Sequence, residues 1–96
     1  MPNQQAPGFQ PYTPTRIEWA ALQLQAIRGE RSPTQWVSFF PDQDGETILC
    51  IVQLAKSTPL EAMKKLLKDL TGDLESYRQV SGWPWLQFRI EELPLE

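Results

Sequence analysis

The chain has 96 residues, 41% hydrophobic and 22% charged, with nine basic and twelve acidic side chains and a formal net charge of −3. It contains no histidine and one cysteine, Cys50, which excludes imidazole acid–base or metal chemistry and any internal disulfide. The acidic balance argues against non-specific nucleic-acid binding, which needs a basic footprint to release counterions, and the length sets the expectation of one domain with a modest core.

Residues 1–14 (MPNQQAPGFQPYTP) carry four prolines, three glutamines, an asparagine and a glycine. They show no period and read as a flexible, partly extended arm. Its aromatic side chains, Phe9 and Tyr12, read either as loose packing on the domain or as anchors of a short recognition segment. No basic region followed by an apolar run opens the chain, so no secretory leader is expected. The longest apolar run, Ile48 to Val52, is far short of a membrane span. A reducing, cytoplasmic location is the expectation for a chain with one cysteine. The folded domain is expected over 15–94, with 95–96 as a short C-terminal end.

Thr15 and Glu18 have the spacing of a capping box, in which each side chain satisfies a backbone N–H of the first helical turn. Ile17, Ala20, Ala21, Leu24 and Ile27 follow at helical spacing, with Trp19, Leu22 and Ala26 widening the buried face. The pattern predicts a helix from Arg16 to Arg28, with Gly29 in the left-handed position after it.

A loop from Glu30 to Thr34 leads into a hairpin. Gln35 to Phe40 is aromatic and β-branched, Pro41 to Gly45 is turn chemistry, and Glu46 to Leu54 is the second strand. Alternation puts Ile48, Cys50, Val52 and Leu54 on one face and Thr47, Leu49, Ile51 and Gln53 on the other. The second face is half apolar, so the strand reads as central.

Thr58 and Glu61 repeat the capping-box spacing, with Pro59 at the first helical position. Leu60, Met63, Leu67 and Leu70 make the stripe of this second helix, and Gly72 is expected to end it. Asp73 to Ser81 fits a short helix capped by Asp73, or a strand. Gly82 and Pro84 break the chain. Trp85 to Glu91 then reads as a strand with Leu86, Phe88 and Ile90 inward, and Pro94 is expected to stop sheet pairing.

The order α-β-β-α-(α or β)-β describes an α+β fold, a small open-faced α/β sandwich. Its sheet is expected to be antiparallel, with three to four strands, and its two main helices to lie on one face.

The inventory of reactive groups is sparse. Cys50 sits among apolar neighbours with no histidine to activate it and reads as a small hydrophobe. Asp42, Asp44 and Glu46 alternate around Gly45 but lack the spacing of a calcium loop, and turns favour these residues for backbone reasons. No nucleophile–base–orienter set and no phosphate-cradling glycine loop is present. The expectation is a non-enzymatic protein with no cofactor and no metal.

Trp83-Pro84-Trp85 is the strongest binding feature. Strand alternation puts Trp85 outward with Gln87 and Arg89, unless the N-terminal arm or residues 73–81 cover it. This reads as a surface for a partner protein, with Phe9 and Tyr12 contributing, and marks a small accessory, adaptor or regulatory module. An aromatic sheet edge, at Trp36–Phe40 or Trp85–Ile90, would also permit strand addition or homodimerisation. The alternative is a lysine-rich helix face, Lys56, Lys64, Lys65 and Lys68, for a nucleic acid or acidic partner.

Overall fold

The computed structural model describes residues 13–95, and Phe9 and Tyr12 lie outside the described residues. Helix α1 (Arg16–Arg28) opens with the expected capping box. The Glu18 carboxylate accepts from the Thr15 N–H at 2.8 Å, and the Thr15 hydroxyl accepts from the Glu18 N–H at 3.3 Å. Gly29 follows at φ −63°, not in the left-handed region. Its lack of a side chain matters for a different reason, since a Cβ there would collide with the Gln25 carbonyl and side-chain amide.

The segment after Gly29, expected as loop, contributes a two-residue strand, β1 (Glu30–Arg31). Ser32 turns the chain there. Its hydroxyl accepts from the Gln35 N–H at 3.0 Å, which sets Arg31 opposite Trp36. Strands β2 (Gln35–Pro41) and β3 (Thr47–Leu54) form the expected hairpin. Gly45 takes φ +76°. The Asp44 carboxylate accepts from the Glu46 and Thr47 N–H groups at 2.9 and 2.8 Å and from the Thr47 hydroxyl at 2.6 Å.

Helix α2 (Leu60–Val80) departs from expectation at both ends. Pro59 is its N-cap and no side chain caps it, so the Thr58–Glu61 box does not form. Gly72 does not end it either, and residues 73–80 are its C-terminal part. Leu70 and Leu74 are fully buried, and Met63, Leu67 and Tyr77 pack on the same core, so one stripe continues unbroken past Gly72. Gly72 itself is exposed, with open space where a Cβ would stand. A glycine there costs only about 0.5–1 kcal/mol relative to alanine. Apolar burial on the other side of the helix outweighs that.

The true stop is Gly82, at φ +72°. The Trp83 N–H bonds back to the Arg78 carbonyl at 2.9 Å and the Gly82 N–H to the Gln79 carbonyl at 3.5 Å. This pair of bonds is the Schellman closure of a helix C-terminus.

Strand β4 (Gln87–Pro94) pairs parallel to β3. The sheet is therefore mixed, in the order β1-β2-β3-β4, where an antiparallel one was expected. Helix length is the cause. At a rise of about 1.5 Å per residue α2 spans roughly 32 Å. It returns the chain past the whole of β3, so β4 enters at the end where β3 begins. Pro94 does not stop the pairing. It stands opposite Leu54, and the Leu95 N–H still reaches the Leu54 carbonyl at 3.2 Å.

Val37, Phe39, Ile48, Cys50, Val52 and Leu54 line one face of the sheet, and both helices cover it in a single core with Leu86. The Arg28 Nε lies 3.0 Å from an Asp73 carboxylate oxygen and ties the two helices together. The architecture is the open-faced α+β sandwich, with neither helix against the face that carries Trp36, Phe40, Leu49 and Ile51.

Candidate functional site

The loop Trp83–Leu86 is a braced turn. Arg78 donates from Nε to the Leu86 carbonyl at 2.7 Å and from Nη2 to the Pro84 carbonyl at 3.0 Å, while Nη1 pairs with Glu75 at 2.6 Å. The strand begins only at Gln87, so alternation does not extend back to Trp85. Trp85 is half-buried against the core rather than facing outward, and the Arg16 guanidinium lies 3.9 Å from its ring centroid. Trp83 is half-buried as well. Gln87 and Arg89 are exposed on the sheet face away from the helices. Arg89 approaches Asp42 at 3.7 Å and Glu91 at 3.5 Å. The four residues are close in sequence, yet two pack on the core and two face outward.

Lys56, Lys64, Lys65 and Lys68 are all exposed. Lys65 is drawn to Asp69 at 3.0 Å, which removes one charge from the patch.

Cys50 is fully buried between its sheet neighbours Phe39 and Ile90. Burial pushes its thiol up to about 12, with Arg28 pulling weakly the other way. A thiol in that state is neither nucleophile nor ligand near neutral pH. Asp44 is held below its ordinary value, first by the Thr47 hydroxyl and then by the Glu46 N–H. Its oxygens serve the turn. Among the described residues no three Cys, Asp or Glu side chains converge as a metal site. None of the helices there is long and apolar enough to cross a membrane.

Helix α1 carries three large apolar side chains that are exposed. Ile17, Ala20, Ala21 and Leu24 are buried, as the spacing predicts. Trp19 and Ile27 are each 56% exposed and Leu22 54%, where the sequence placed them on the buried face. One sheet face cannot take every apolar residue of a helix whose apolar side chains are spread around its circumference. Beside Leu22 a groove of about 570 Å³ runs between α1 and β2, walled by Ala21, Trp36, Phe40 and Pro41. The Phe40 ring is 47% exposed. Arg31 lies over the Trp36 ring at 4.3 Å, with Glu18 and Glu30 at the groove's border.

The groove does not offer a free strand edge. Gln25 accepts from the Phe39 N–H at 3.0 Å, Pro41 has no N–H, and the Gln35 N–H is held by the Ser32 hydroxyl. Val37 stands opposite Glu30 of β1. Every outward donor of β2 is thereby occupied or absent, a protected edge. The groove therefore accepts side chains, not an added strand. No protein-family model, curated protein or solved structure matches this chain.

Proposed function

We propose that this protein is a non-enzymatic protein-interaction module whose partner seats on the outward face of α1 and in the α1–β2 groove. One observation carries the reading: Trp19, Leu22 and Ile27 stand more than half exposed on a single helix, continuous through Leu22 with the groove. Trp19 and Leu22 are three residues apart and so neighbours on the helix surface, and apolar side chains grouped beside a groove mark interaction sites, whereas exposed residues scattered singly do not. Large apolar side chains beside a groove with a charged border match the pattern of a buried anchor within a polar rim. The occupant this geometry suits is an apolar helix of another protein. It meets Leu22 and Phe40 with its side chains and needs no backbone pairing. A cytoplasmic setting agrees with the single reduced thiol.

The test is photo-crosslinking from a benzophenone side chain placed at Leu22, with Lys64 as the control position. The expected result is one discrete protein adduct from position 22 and none from position 64. Leu22→Asp should abolish capture while the circular dichroism spectrum stays unchanged, since an exposed substitution alters stability by only about 0.5 kcal/mol. Equal labelling from both positions, or capture indifferent to Leu22→Asp, refutes the assignment.

A further inference from the structure

The opposite end of the sheet is built differently. Among the described residues strand β4 pairs with β3 on one side only, and the parity of that pairing follows from its ends. The Gln87 N–H bonds to the Glu46 carbonyl at 2.8 Å and the Leu95 N–H to the Leu54 carbonyl at 3.2 Å. Odd-numbered residues of β4 therefore point their amides at β3. Phe88, Ile90 and Glu92 point theirs away, to an edge where no other described residue meets them. The edge is bounded at one end by Pro94, which has no N–H, and at the other by the Leu86 carbonyl, already taken by Arg78. Among the described residues no inward lysine, bulge or side-chain cap protects the stretch between.

This open stretch is self-complementary. Its three free donors are symmetric about Ile90. A second β4 laid antiparallel with Ile90 opposite Ile90 exchanges N–H···O=C bonds at all three positions. In that register Arg89 stands opposite the partner's Glu91 and Glu91 opposite the partner's Arg89. Opposite charges thus meet directly on both sides of the two-fold axis. A shift of two residues pairs Arg89 with Arg89 or Glu91 with Glu91. Beside the edge lies a groove of about 500 Å³ between α2 and β4, bordered by Leu74, Leu86, Phe88 and Ile90, which receives the partner's Ile90. We infer that this protein forms a two-fold dimer through β4–β4 pairing centred on Ile90, joining two four-stranded sheets into one of eight strands. The surface is distinct from the α1 groove and leaves that groove open.

The experiment is sedimentation equilibrium of the full chain from about 1 μM to about 1 mM, which spans dissociation constants over about three decades. The mass should rise from monomer to dimer. R89E and E91R each set like charges opposite one another, and each should weaken association by roughly tenfold. An equimolar mixture of the two variants restores both opposite-charge pairs, and association should return to the wild-type value. Arg89 and Glu91 are both about half exposed, so neither reversal disturbs the core, and circular dichroism of each variant verifies it. A monomeric mass throughout overturns the inference, as does a dimer indifferent to both reversals. A mixture no tighter than its components also overturns it, because this register predicts both the loss in each single reversal and the rescue, whereas the shifted registers already pair like charges in the wild type.

Discussion

Arg78 holds the Trp83–Leu86 turn to the end of α2, and replacing it tests how much one side chain contributes to this small fold. In Arg78→Ala two bonds to backbone carbonyls disappear, at 2.7 Å to Leu86 and 3.0 Å to Pro84. Hydrogen bonds from a charged donor are worth about 1.5–3 kcal/mol each when shielded from water. The Arg78 side chain is 31% exposed, which argues for the low end of that range. The Glu75 contact adds about 0.3–0.5 kcal/mol, as exposed helix pairs do. The sum is a loss of about 3–3.5 kcal/mol, or roughly 13–28 °C in melting temperature for a domain of this size. Arg78→Lys retains the charge but not the fork, so it should recover only one of the two carbonyls and lose about 1–2 kcal/mol. Urea unfolding followed by tryptophan fluorescence is the assay, since Trp83 and Trp85 flank the braced Pro84. If Arg78→Ala lies within about 0.5 kcal/mol of wild type, or lysine substitutes fully, the brace does not carry the energy assigned to it.

Two further outcomes are expected. Gly72→Ala should raise stability by about 0.5–1 kcal/mol, because the site is an exposed helix interior with room for a methyl group; a destabilised variant in thermal denaturation would show that α2 bends there. Cys50, its thiol raised from 9.0 to about 12 by burial, should resist thiol reagents at pH 8 until the protein unfolds. Because the folded value is the higher one, the stability linked to this thiol is complete below pH 9 and is lost as pH rises from 9 toward about 12. Denaturant midpoints compared between wild type and Cys50→Ala across that window measure it, and identical pH profiles would contradict it.

Local rules made much of the fold legible. The Thr15–Glu18 box, the Asp44–Gly45 turn and the alternation of β3 each depend on residues within a few positions of one another. The direction of β4 was not legible so long as Gly72 was taken for a helix end. Yet the spacing of Met63, Leu67, Leu70, Leu74 and Tyr77 runs through Gly72 without a break. A glycine on the solvent side removes little, and the stripe on the other side decides. Parallel pairing then follows from helix length. The candidate site was legible only as an excess: α1 holds more apolar side chains than one face can bury, but which of them stay outside depends on where β2 and α2 lie. Residues 83–85 illustrate the reverse case. The outward reading of Trp85 rests on a strand that begins two residues later, and the Arg78 fork that braces this turn binds backbone carbonyls, which no side-chain pattern encodes.

The crossover between β3 and β4 orders events in time as well as in space. Pro41 and Ile48 find each other across a short turn, whereas Thr47 must wait for Gln87, with the whole of α2 between them. Closing so long a loop is slow relative to closing a hairpin. During synthesis α1 and the hairpin emerge first. The side of β3 that carries Ile48, Cys50, Val52 and Leu54 then presents unpaired backbone until β4 arrives. For that interval the most apolar strand of the chain is a sticky border, and its safety rests on how quickly α2 winds and delivers β4 to it.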